Sequence, residues 1–96
     1  MNILRRVFAR NIEIVLEKMI RKAAALGLPE KDLAEARMFL EHVEWGLCFD
    51  TLVHGLHEDV IPIDTDFLEL AKNAVSVMKL DPVEYEFLNE LAQLQP

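Results

Sequence analysis

MNILRRVFARNIEIVLEKMIRKAAALG, residues 1–27, decides the fold class. Leu4, Phe8, Ile12, Val15, Met19, Ala23 and Leu26 recur at steps of four and three, which is one face of an α-helix. Ile3, Val7, Leu16 and Ile20 widen that stripe, and Glu17 stands four residues before Arg21, the orientation that favours a helical ion pair. Gly27 is the natural stop. A helix of about 24 residues spans roughly 36 Å, long for so short a chain, and a break near Asn11 is the alternative.

The rest of the chain follows the same period. Pro29 suits a first helical position, with Glu30 and Asp32 where the helix dipole favours negative charge. Leu33, Ala36, Leu40 and Val43 form the inner face of a second helix, and Trp45, Phe49, Leu52 and Leu56 that of a third. Gly46 marks a bend or a close backbone approach. Ile61-Pro62-Ile63 reads as an extended connector whose isoleucines cap the core. Asp64 is an N-cap for a fourth helix carrying Phe67, Leu70, Ala71, Ala74, Val75 and Met78 inward. Asp81-Pro82-Val83-Glu84 combines N-cap, N1 proline and capping-box glutamate, opening a last helix with Tyr85, Leu88, Leu91 and Ala92 inside. No alternating strand pattern, repeat or low-complexity segment occurs. The expected fold is all-α, one domain over residues 1–96, a compact bundle of four or five helices.

Charge is divided along the chain. Residues 1–31 carry seven basic and three acidic groups, a balance of +4, whereas residues 32–96 carry three basic and fourteen acidic, a balance of −11. An acidic surface repels nucleic acid and anionic membrane and attracts basic proteins. It also serves solubility alone. The start of the chain carries charges where a signal peptide needs an apolar run, and no run reaches membrane-span length, so the expected location is the cytoplasm. Cys48 is the single cysteine, set between Leu47 and Phe49, and reads as a buried thiol in a reducing compartment.

Candidate chemistry is sparse. Gly27, Gly46 and Gly55 stand apart and form no phosphate-binding loop. Asp50, His54, His57 and Glu58 share one helical face and are the best metal-ligand set, although His-x-x-His is not the i, i+4 spacing of helical zinc motifs. A solvated or partner-binding face is the stronger reading of the same residues. Trp45 is either an interface anchor or core, and its register with Phe49 favours core. Arg5, Arg6 and Arg10 lack the interleaved aromatics of a nucleic-acid patch.

The segments FLEHVEWGLCFDTL, IPID and MKLDPVEYEFLNEL together resemble the MafI family of small bacterial immunity proteins, encoded beside polymorphic secreted toxins. The likeness covers residues 33–91 and centres on Glu44-Trp45-Gly46, Ile61-Pro62-Ile63 and the Leu80-Asp81-Pro82 helix start. Val43 stands where a small residue or glycine is expected, and Cys48 where alanine is usual. The resemblance implies a non-enzymatic inhibitor that binds the C-terminal toxic domain of a cognate effector in the cytoplasm of the producing cell. Such domains are often nucleases, including EndoU-like RNases, whose basic clefts suit an acidic inhibitor. It implies no cofactor, metal, nucleic-acid or membrane partner, and a shared motif that holds the scaffold. The toxin-facing candidates are then the acids and imidazoles around it: Glu41, Glu44, Asp50, His54, His57, Glu58, Asp59, Asp64 and Asp66, with Glu44 also readable as a dipole partner of the third helix. The competing reading, from the long apolar stripe of the first helix, is a helical adaptor or dimerisation module.

Overall fold

Helix α1, Ile3–Leu26, runs without a break at Asn11. The computed structural model describes residues 3–95, in which α1 is followed by α2 (Glu30–Glu41), α3 (Trp45–Glu58), α4 (Thr65–Val77), a 3-10 turn (Pro82–Tyr85) and α5 (Phe87–Gln93). Among the described residues there is no strand. Over the described residues the chain is an all-α bundle of five helices, none of them long and apolar enough to cross a membrane.

Length explains the shape. At 1.5 Å per residue α1 spans about 36 Å, while α2, α3 and α4 each span roughly 18–21 Å. The ends of α2 and α4 arrive together at Phe8 and Ile12, where Val43, Trp45, Met78 and Leu80 line a shallow groove. The residues before Phe8 therefore run past the end of the bundle. Ile12, Leu16, Met19, Ile20 and Ala23 are buried as the spacing predicts, but Leu4 and Phe8 are exposed and so are Ile3 and Val7, with Ile3 and Leu4 at 71%. The stripe is continuous; the bundle that covers it is not. Glu17 also turns toward Arg10 (3.8 Å) rather than Arg21.

Helix α3 is the pillar of the core. It packs against α1, α2 and α5, and Cys48, Phe49, Leu52, Val53 and Leu56 have no solvent exposure at all. The close approach that the sequence placed at Gly46 occurs at Gly55. A Cβ on Gly55 would stand 2.9 Å from Leu28 Cδ1 and 3.2 Å from Asp32 Oδ2, whereas one on Gly46 would meet nothing within 4 Å. Gly55 lets the start of α2 lie against α3. Trp45 is only half-buried, unlike the rest of its stripe, and its indole N–H has no hydrogen-bond partner. Of the Ile-Pro-Ile connector, Ile63 is wholly buried and its amide donates to the Leu91 carbonyl (3.2 Å), while Ile61 is half-buried.

Helix ends divide into those written in the sequence and those that are not. Asp64 caps α4 by accepting from the Phe67 amide (2.8 Å). Asp81 accepts from the Val83 amide (3.0 Å), but the turn it opens is 3-10, not α. Pro29 is the N-cap of α2, with extended ψ, and Glu30 is the first helical residue, one place later than the spacing suggested. At the C-termini, α1 to α4 all end in the same doubly bonded turn. The amides of Leu28, Glu44, Ile61 and Leu80 donate to the carbonyls of Ala23, Phe39, Leu56 and Val75 at 2.8–3.0 Å, and those of Gly27, Val43, Val60 and Lys79 to carbonyls three residues back. This turn needs a left-handed residue. Gly27 supplies it for α1, but Val43 (φ 59°), Val60 (φ 52°) and Lys79 (φ 56°) supply it elsewhere. Val43, expected inside, is thereby turned out to 60% exposure.

A β-branched residue in the left-handed region costs about 1–2 kcal/mol, part of which glycine returns as unfolded-chain entropy. Val60→Gly is therefore expected to stabilise the protein by roughly 0.5–1 kcal/mol, read as a higher urea midpoint at unchanged m-value. A lower midpoint would show that Val60 makes contacts worth more than its strain.

Candidate functional site

The outer face of α3 and the 3-10 turn leading into α5 are held together by one hydrogen bond and a set of stacked rings. Tyr85 Oη donates to Asp50 Oδ1 at 2.6 Å, and the Tyr85 ring meets Phe49 edge-on at a centroid distance of 5.1 Å. One turn further along α3, His54 and His57 lie against Phe87, stacked at 5.4 and 4.3 Å. The spacing brings these groups to one face because residues 50, 54 and 57 follow one another around the helix at steps of four and three. Burial, then the Asp50 hydrogen bond, then the Asp50 and Glu84 charges push the Tyr85 hydroxyl well above its ordinary pKa.

The nine sequence-predicted contact residues fall into three groups. Glu41 and Glu44 sit at the α2–α3 elbow, both exposed. Glu44 is the N-cap of α3 and makes no side-chain cap bond. His54, His57, Glu58 and Asp59 lie along and at the end of α3, exposed, with Asp50 half-buried behind them on Tyr85. Asp64 and Asp66 open α4: Asp64 is engaged as a cap, and Asp66 approaches Lys22 at 3.8 Å. By helical rise the elbow lies roughly 20 Å from the end of α3, so the nine do not form one small patch.

Among the described residues no three His, Cys, Asp or Glu side chains gather into a set that could hold an ion. The reason is local: Asp50 accepts from Tyr85 and the two imidazoles face Phe87. Cys48 is wholly buried, and burial pushes its thiol up from 9.0 to about 12, so it is no nucleophile at neutral pH.

Neither Phe87 nor Tyr85 as the partner of Asp50 was legible in the sequence. The only available signal was their shared aromatic character near the closing helix. That segment also enlarges the acidic face, since Asp81, Glu84, Glu86 and Glu90 are all exposed. Beside it a cleft of about 450 Å³, walled by Leu68, Val75 and Leu88 with Lys72 and Glu86, opens between α4 and α5. The polar ends of α2 and α3 carry acid where it does least for stability. Glu41 closes α2, and Glu58 and Asp59 close α3, each beside the negative end of a helix dipole.

Comparison of the chain with models of known protein families, with curated proteins and with solved structures finds no match.

Two outcomes follow from the geometry. Tyr85→Phe removes the hydrogen bond to a carboxylate and is expected to cost about 1.5–3 kcal/mol of unfolding free energy while leaving the helical dichroism unchanged. Because the folded-state pKa values of Cys48 and Tyr85 are both raised, the folded chain holds protons that the unfolded chain releases. Stability is full below about pH 9 and falls as pH rises toward 12. Denaturant titrations at pH 8 and 11 read this, and Cys48→Ala should flatten part of the slope.

Proposed function

We propose that this protein is an immunity protein that neutralises the basic C-terminal toxic domain of a cognate effector, a nuclease such as an EndoU-like RNase. The observation that carries the reading is the acid at the end of α3. Glu58 and Asp59 are exposed, oppose the helix dipole and cap nothing with their side chains, so folding gives no reason for them. A basic partner does. His54, His57 and the acids of the closing segment extend the same surface. The resemblance to the MafI family adds a second line of support. Its Trp45-Gly46 and Leu80-Asp81-Pro82 signatures fall at helix joints, as scaffold residues should, and Val43, where a small residue or glycine is expected, has left-handed backbone (φ 59°).

Inhibition then works by electrostatic steering followed by occlusion. The acidic face draws in a cleft built to hold phosphates, and the rigid α3–α5 surface excludes the substrate. No group on the inhibitor has to react. The second reading, a helical adaptor or dimerisation module, rests on the uncovered stripe of α1.

Calorimetric titration into the C-terminal domain of the toxin encoded beside this gene, with nuclease activity followed in parallel, is expected to give tight one-to-one binding and loss of activity. Glu58→Lys with Asp59→Lys should slow association about tenfold at low salt and much less at high salt, without loss of thermal stability. Unchanged association would place the interface elsewhere; absence of binding would overturn the immunity reading.

A further inference from the structure

The cleft of about 450 Å³ between α4 and α5 has an apolar floor and two unlike walls. Val75, Tyr85 and Leu88, each more than nine-tenths buried, form the floor. Lys72 and Ser76 stand on the α4 side and Glu86 and Asn89 on the α5 side, all four exposed. Among the described residues none of these four side chains has a hydrogen bond or an ion pair, so their polar groups are unspent. The walls are set before anything binds. Helix α5 is pinned to α3 by the Tyr85–Asp50 hydrogen bond and by Phe87 against His54 and His57, and to the connector by the Ile63 amide on the Leu91 carbonyl.

Charge decides what can enter. Asp81, Glu84, Glu86 and Glu90 are all exposed and residues 81–90 hold no base, while the α4 wall offers Lys72 alone. That balance repels nucleic acid, an anionic bilayer and a second copy of this chain, whose net charge is −7. It attracts a basic polypeptide. Ser76 and Asn89 can each donate to and accept from a backbone, and the floor takes an aliphatic or aromatic side chain. We infer, resting on the immunity reading, that the cleft receives an apolar anchor side chain of the basic toxin domain. The anchor comes from a segment in which lysine or arginine flanks it and meets Glu86 and Glu90, one turn apart on α5.

Helix α5 lies between this cleft and the histidines of α3. A helix with its side chains is about 10–12 Å across, so a standard interface of roughly 800 Å² per partner reaches over α5 to both. The two halves then act differently. The acids of α3 and α5 govern how fast the partner arrives, and the side chain held in the cleft governs how long it stays, because a desolvated anchor in a preformed pocket carries most of the binding energy. The centre of the interface falls on α5, and Glu58 and Asp59 belong to its edge.

Association and dissociation rates with the toxin domain encoded beside this gene test it. Ser76→Phe and Asn89→Phe fill the cleft from opposite walls without changing a charge, and they sit on different helices, so a folding defect in one leaves the other to decide. Each is expected to speed dissociation about tenfold or more, with association within about twofold of the parent and the urea midpoint unchanged. Glu86→Lys with Glu90→Lys should do the reverse, slowing association about tenfold at low salt and much less at high salt. Tight binding by the parent chain with dissociation unchanged in the filled variants would overturn the anchor cleft and leave the immunity reading standing. No binding by the parent chain would overturn both.

Discussion

Glycine at position 55 leaves room for the side chains of Leu28 and Asp32 to pack against α3, and α3 is the element on which α1, α2 and α5 close. Leu28 Cδ1 stands 2.9 Å and Asp32 Oδ2 3.2 Å from where a Cβ would be, so the side chains at the entry to α2 fill the space that Gly55 leaves on α3. Helix α3 can then be covered from the α2 side while α1 and α5 close other sides. Its inward residues Cys48, Phe49, Leu52, Val53 and Leu56 lose all contact with water, which at about 1.5–3 kcal/mol per large aliphatic or aromatic side chain is the main favourable term in a chain of this size. The outer face of α3 stays in register with Tyr85 and Phe87 because the inner face has no freedom to turn.

Periodicity was enough to find every helix, because a stripe at steps of three and four is a property of the helix itself. What covers the stripe is a property of its neighbours, which is why the burial of Leu4 and Phe8 was misjudged: nothing in residues 1–27 says that α2 and α4 end at Phe8. Helix starts were legible where a side chain does the capping, as at Asp64. Helix ends were not, because the signal is a left-handed residue, and only Gly27 of the four announces itself. Val43, Val60 and Lys79 adopt the same backbone, held there by the two hydrogen bonds of the turn.

The candidate site was half legible for a similar reason. Helical spacing correctly put Asp50, His54 and His57 on one face, but the identity of what faces them depends on a segment about 30 residues later in the chain. Tyr85 and Phe87 convert an apparent ligand set into a docking surface for the closing helix. The acids at the helix ends read the other way. Their position relative to the dipole follows from sequence once the ends are known, and it separates the charges that stabilise the fold from those that do not.

Trp45 stands at the meeting point of these arguments. It is the only tryptophan in the chain, half-buried, with its ring between the groove of Phe8, Val43 and Met78 and a second groove of Arg5, Phe8, Ala9 and Glu13. Its fluorescence is therefore a single-site signal, free of contributions from other indoles. An indole whose N–H lacks a partner and whose edge meets water emits according to how wet that junction is. Any event that dries or opens the seam between α1 and the α2–α3 elbow shifts the colour of the protein's own emission, with no label attached.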